Sequence, residues 1–259
     1  MKRNDSRSAR PDLLNAFGAR GAAIYDREVQ VMPRHYRRAH AIQNTLVIDA
    51  LRRIRAEGAN VVVDLGAGTG DDGVAILSRA QWVSYLGIDR SPHMLERAAN
   101  KMVRYDLGHR TVFLRRNFAR LPSQAIKQIV AADSAAIGAV ISSLALHHCT
   151  GRTWRGVYGL AYQLLPEGGL FVVTDLFTND SPRTAGLALT YELNRIDAAV
   201  RRLRRRSSVT TMSSAHYRKD NKPPRLTEAV IQLRRCGFAT VDVVFREGQL
   251  AVIAAERGR

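Results

Sequence analysis

Val61-Val-Val-Asp-Leu-Gly-Ala-Gly-Thr-Gly-Asp-Asp-Gly73 decides how the rest of the chain is read. A β-branched run reaches an acid, Asp64, turns through closely spaced glycines and enters Val74-Ala-Ile-Leu-Ser-Arg79, which reads as a helix. A strand, a glycine turn and a helix start together make a site for a nucleotide-type cofactor. Glycines let the backbone bend sharply and let a ligand approach without interference from a Cβ.

Downstream, strand and helix signals alternate. Val83-Ser-Tyr-Leu-Gly-Ile-Asp89 is a second strand, and Ser91-Pro92 starts a helix with serine at the cap and proline in the first turn. Thr111–Arg115, leading to Asn117-Phe118, and Ala139–Ser143, leading to Leu144-Ala-Leu-His-His148, are the third and fourth strands. A helix over about 152–165 and the turn Pro166-Glu-Gly-Gly169 precede a fifth strand, Leu170–Asp175. This β-α alternation implies a parallel sheet with helices on both faces and ligands at the strands' carboxyl ends. Asp64, Asp89, Asn117, Ser143 and Asp175 all fall at those ends. Thr227–Cys236 reads as a helix ended by Gly237, and 240–245 with 250–255 as a terminal β-hairpin.

Upstream, residues 1–12 are expected to form a disordered tail, and 13–259 a single domain. Within that domain, 13–55 is helical with a break near Pro33, and Leu46, Ile48, Leu51 and Ile54 give it an apolar face. Preceding the first strand, this segment can fold over the glycine turn as a lid, with Tyr25 and Tyr36 as candidate site residues. Residues 178–224 break the β-α pattern and form an insertion on the ligand side. It carries the run Arg201-Arg-Leu-Arg-Arg-Arg206 and a polar loop with His216 and Tyr217, two candidate substrate-side residues.

Composition narrows the classes. The chain has 259 residues, no apolar run near the roughly 20 residues needed to cross a membrane, and a polar, basic start unlike a secretory signal. Cys149 and Cys236 form no metal-ligand spacing and no disulfide framework, so no metal is expected and a reducing cytoplasm fits. The net charge of +17, carried mostly by arginine, is compatible with a nucleic-acid partner or with solvated helix faces.

The glycines permit two cofactor registers. Gly68-Thr-Gly70-Asp-Asp-Gly73 satisfies a dinucleotide pattern, with Asp89 placed for a ribose hydroxyl. The other register is Asp64-Leu-Gly66-Ala-Gly68-Thr-Gly70. Electrostatics favours the second. Asp64, Asp71 and Asp72 are poor neighbours for a pyrophosphate but suit S-adenosylmethionine, which carries a sulfonium and an ammonium and no phosphate.

On these residues the chain resembles the class I S-adenosylmethionine-dependent methyltransferases over about residues 20–256. Asp64–Gly70 is similar to the family's first motif, and Gly87-Ile-Asp-Arg-Ser-Pro-His-Met-Leu95 to its second. Ile141–His148 and Leu165–Gly169 are similar to the fourth- and fifth-strand motifs. The resemblance implies a Rossmann-like α/β fold: a mostly parallel seven-stranded sheet with an antiparallel last strand, helices on both faces and an N-terminal helical lid. It also implies that Gly66, Ala67 and Gly68 pass under the methionine moiety and that Asp89 binds the ribose. Arg90 and Met94 would flank the adenine, Asn117 and Phe118 would meet its edge, Ser143 would lie beside the methionine, and Tyr36 would close the lid.

In-line methyl transfer needs positioning, water exclusion and, for a hydroxyl or amine acceptor, a general base. His147 and His148 follow the fourth strand toward the expected cleft, and Asp175 can orient a partner. No Asn/Asp-Pro-Pro-Tyr/Phe clamp follows the fourth strand, and no Pro-Cys nucleophile is present. The chain is thus most similar to the small-molecule and tRNA-wobble-modification branch. The leading expectation is methylation of a small molecule. A tRNA- or rRNA-modifying enzyme, or one that modifies the cofactor, is the alternative, followed by a non-catalytic binder; an oligomer is compatible with each.

Overall fold

The computed structural model describes residues 18–19, 21–23, 25–26, 33–54, 59–131, 136–204 and 221–258. The tail at 1–12, the loop bearing His216 and Tyr217, and Arg205-Arg206 of the basic run lie outside the described residues.

In chain order the elements are α1 (Arg34–Ile54), β1 (Ala59–Leu65), α2 (Asp71–Leu77), β2 (Ser84–Asp89), α3 (Pro92–Arg104), β3 (Thr111–Arg115) and α4 (Ser123–Ala131). They continue with β4 (Ala136–Ser143), α5 (Gly151–Leu164), β5 (Leu170–Leu176), α6 (Pro182–Arg204), α7 (Leu226–Arg235), β6 (Phe238–Glu247) and β7 (Leu250–Arg257). The seven strands form one sheet ordered β3-β2-β1-β4-β5-β7-β6. β1 to β5 pair in parallel, while β7 runs antiparallel to both β5 and β6. The order reverses between β1 and β4, and ligands in such sheets bind in the crevice at that point.

Every residue of β5 is buried, as expected of a central strand covered on both faces. One core layer joins the sheet to α4, α5 and α7 through Ile126, Tyr158, Leu233 and Phe171. The other joins it to α1, α2 and α3 through Val47, Leu51, Ile76 and Met102. Ser91 caps α3, accepting from the Met94 amide at 3.3 Å, with proline at the first helical position.

Two expectations shift by local physics. The apolar face of α1 is centred on Val47, Ile48, Leu51 and Ile54, with Leu46 turned partly to solvent. Helix α4 replaces a stretch the sequence left unassigned; it buries only Ile126 and Val130, too few positions for a clear helical period. Among the described residues no helix is long and apolar enough to cross a membrane.

Candidate functional site

The turn after β1 is built on glycines in the left-handed region: Gly66 at φ 101°, Gly68 at 52° and Gly70 at 77°. The Gly66 and Ala67 amides donate to the Ile88 carbonyl of β2 at 2.8 and 3.1 Å, which folds the turn across the neighbouring strand end. A cavity of about 570 Å³ opens above it, a size suited to small ligands. A Cβ added at Gly68 would meet nothing closer than the Gly66 carbonyl oxygen at 3.9 Å, so the space over the turn is open.

Acids crowd this turn and are compensated differently. Asp71 accepts from Lys101, which also reaches Asp26 and Thr69. Asp72 is buried and accepts from Asn44 at 3.1 Å and pairs with His40 at 2.9 Å. Burial opposes the charge on Asp72, but His40, Ser143 and Asn44 together outweigh it and hold the carboxyl below its usual range. Burial likewise opposes the charge on His40, and Asp72, with Asp71 and Asp64, outweighs it and raises that ring. Asp89 accepts from the Gly68 amide at 3.0 Å and the Ser91 amide at 2.8 Å; burial nevertheless pushes its carboxyl upward. Asp64 is 2% exposed. Its Oδ2 accepts from the Tyr85 hydroxyl at 2.5 Å, while Oδ1 is buried with no hydrogen-bond partner. Burial, then the charge of Asp72, push the Asp64 carboxyl up to about 8.

A histidine–carboxylate pair borders the same cavity through its histidine. His147 is buried in a short 3-10 turn, and its Nδ1 hydrogen-bonds Asp175 Oδ1. Asp175 is fixed by backbone donors: the Leu146 and His147 amides at 2.8 and 3.3 Å to Oδ2, and the Leu176 amide at 2.7 Å to Oδ1. Asp175 therefore holds the ring through Nδ1 and leaves Nε2 as its second nitrogen. The His148 ring packs on His147 with centroids 3.9 Å apart.

The cavity brings together Tyr25, Tyr36, Asp64, Gly66, Ala67, Gly68, Ser143, His147 and His148. Tyr25's hydroxyl is pushed upward by burial and by Asp71 and Asp72. Asp89, Arg90, Met94, Asn117 and Phe118 lie outside the cavity lining. Asp89 is tied to it through Gly68, and Phe118 lies 3.6 Å from where a Cβ on Gly66 would stand. Met94 is buried, Arg90 is exposed, and the Asn117 side chain caps its own turn by accepting from the Ala119 amide at 3.1 Å. His216 and Tyr217 are outside the described residues.

The inward face of α1 also enters the site. His40 and Asn44 line the cavity, and the Gln43 side-chain amide donates to Ser143 Oγ at 2.8 Å. The signal was present in the helical period: Gln43 and Asn44 continue the buried stripe of Val47, Ile48 and Leu51 as polar residues, with His40 half-buried one turn before them. Buried polar groups on a core-facing stripe need partners: Gln43 meets Ser143 and the Asn44 Nδ2 meets Asp72, while Asn44 Oδ1 is left without one.

Residues 63–171 match a family model described as a methyltransferase domain. Similar solved structures include an O-methyltransferase family protein from Burkholderia thailandensis, 19% identical over 94% of this chain and 64% of that one, TM-score 0.57. An O-methyltransferase family 2 protein from Planctomyces limnophilus in complex with apigenin is 19% identical over 78% and 50%, TM-score 0.54. Human N-acetylserotonin methyltransferase in complex with SAM is 17% identical over 95% and 62%, TM-score 0.52. The chain spans half to about two thirds of the length of these proteins. No curated protein matches it. Among the described residues no cluster could hold a metal ion.

Proposed function

We propose, from the methyltransferase domain that this chain carries at residues 63–171 and the class I methyltransferase fold around it, that it methylates a hydroxyl of a small organic acceptor. S-adenosylmethionine, when bound, supplies a methyl group on a positively charged sulfur. The residues present fit that group: an open glycine turn, and Asp64 among the cavity's lining residues with one carboxyl oxygen buried and unpaired.

The observation that carries the reading is the His147–Asp175 pair, in which His147 lines the same cavity as Asp64 and the turn. With Nδ1–H donated to Asp175, Nε2 is the nitrogen able to take a proton from an acceptor hydroxyl as it attacks. The backbone amides around Asp175 hold the ring in one orientation without relying on mobile side chains. Tyr36, Arg37 and His40 of α1 line the same cavity, where they position the acceptor and exclude water. Gly68 and Asp89, joined by their hydrogen bond, form the adenosyl end; Arg90, Met94, Asn117 and Phe118 extend it.

The placement of charge supports a small acceptor over nucleic acid. Exposed arginines stand on α1 (Arg37, Arg38, Arg52, Arg53) on one side of the sheet and on α5 and α7 (Arg152, Arg155, Arg234, Arg235) on the other. A nucleic-acid footprint would gather them on one face. Both cysteines are free, in keeping with a cytoplasmic setting.

Transfer of labelled methyl from S-adenosylmethionine to phenols such as apigenin and N-acetylserotonin tests the reading. His147→Ala is expected to lose about 100-fold or more in kcat with cofactor affinity retained, and His148→Ala far less. A His147→Ala enzyme within a few fold of wild type would remove the base from this scheme.

A further inference from the structure

Asp64 differs from the other acids of the turn. Asp71 has Lys101, Asp72 has His40 and Asn44, and Asp89 has two backbone amides. Asp64 has one neutral donor, Tyr85, on Oδ2 and nothing on Oδ1, although the residue is 2% exposed and lines the cavity. An anion in that position has lost its water and gained neither a cation nor enough donors. The charged and titratable groups facing it are Asp72 from α2, Tyr85 and Asp89 from β2, and His40 from α1. The His40 ring is engaged by Asp72 and does not bond Asp64. Two of these neighbours are themselves carboxyls, so the local field disfavours a third negative charge.

We propose that Asp64 carries a proton on Oδ1 in the cofactor-free protein and releases it when S-adenosylmethionine enters, becoming the counter-ion of the bound cation. The inference rests on the proposed function. The balance is one broken O–H bond: the electron pair stays on Oδ1, the proton passes to the buffer, and the cofactor brings the positive charge. The carboxyl thus does not compete for an alkali cation or a surface lysine in the empty state, and becomes a strong partner only for a ligand that carries a positive charge to it.

The direction with pH follows from the sign of the shift. Burial and Asp72 raise the empty-state carboxyl to about 8, so below that value each binding event must also remove a proton. Cofactor affinity therefore falls about tenfold per pH unit below the window and levels off above it.

Calorimetry of S-adenosylmethionine binding at pH 7, in two buffers of different ionisation enthalpy, counts the protons released. The wild type is expected to release about one proton more than Asp64→Asn, whose own value reports the titration of the cofactor. His40→Gln is expected to keep that extra proton, which assigns it to Asp64. Equal release from wild type and Asp64→Asn overturns the inference and leaves the cofactor assignment standing. Absence of S-adenosylmethionine binding to wild type at any pH overturns both. If Asp64→Asn does not fold or bind, infrared difference spectra of the wild type decide the matter. A protonated-carboxyl carbonyl band should vanish on cofactor addition, and a band that is absent or unchanged overturns the inference.

Discussion

Gly66 and Gly68 serve the same turn for different reasons. A Cβ on Gly66 would stand 2.5 Å from the Ala145 Cβ, at a φ of 101° that side chains avoid. Gly66→Ala is therefore expected to destabilise the fold by roughly 3 kcal/mol, from backbone strain and overlap together. Gly68 has the milder φ of 52° and open space around it, so Gly68→Ala should cost about 1 kcal/mol of stability. Its effect should instead appear in cofactor affinity, because the new methyl projects toward the cavity. Urea unfolding and calorimetry on the two variants separate these roles; equal stability losses would refute the distinction. Leu144, at φ 49° with its amide held by the Thr174 carbonyl at 2.8 Å, is a non-glycine residue in the left-handed region. It sits between Ser143 and the His147 turn, where strain is tolerated for the sake of the site. At this scale the strand-end acids and the glycine spacing were legible, since both are local in sequence. The pairings were not: His40 and Asp72 are 32 positions apart, and nothing in either segment names the other. For the same reason Asp71 and Asp72 looked as uncompensated as Asp64 in the sequence.

Helices α1 and α6 and the β6–β7 turn are joined by a buried polar contact. His35 and Glu192 are both buried, with Nε2 and Oε2 3.3 Å apart, and Glu192 Oε1 accepts from the Gln249 amide at 3.2 Å. Beside them Glu247, partly exposed, accepts from Tyr191 at 2.7 Å; that bond, then His35, Arg195 and Arg38, hold its carboxyl below the usual range. Glu192→Ala removes the buried carboxylate that meets His35 Nε2 and the Gln249 backbone amide and is expected to cost about 3 kcal/mol. Glu247→Ala breaks the exposed contacts with Tyr191, Arg38 and Arg195 and a longer 3.7 Å pairing with His35 Nδ1, and should cost about 1 kcal/mol or less. Denaturant midpoints at constant slope check the ranking; a larger loss for Glu247→Ala would show that the buried contact is not what fixes α6. The β-α elements and the terminal hairpin were legible because their periods of 2.0 and 3.6 are strong over several turns. Helix α4 and the full extent of α6 were not, because α4 buries only two residues and α6 opens with a mainly exposed first turn.

The whole molecule places its chemistry at the reversal of strand order, between β1 and β4, with β5 delivering Asp175 beside them. That location follows from parallel connectivity and was foreseeable from the alternation of strands and helices. What closes the site was foreseeable only in outline, because α1 is both cover and core. Its first half meets the cavity through Tyr36, His40 and Asn44, and its second half is set in the apolar layer through Val47, Ile48, Leu51 and Ile54. One helix thus has two anchorages of different kinds, and they respond differently to time and to ligand. Hydrogen bonds at the polar end exchange with water as the site opens, whereas the apolar end comes free only when the sheet does. Amide deuterium exchange is expected to be at least about tenfold faster over 37–44 than over 48–54, and cofactor should slow the first stretch alone. Uniform protection along α1 would mean that the cavity admits its ligands by another route. Under the expected pattern, entry to the site is a local opening confined to about two turns of one helix, and the core keeps its packing throughout.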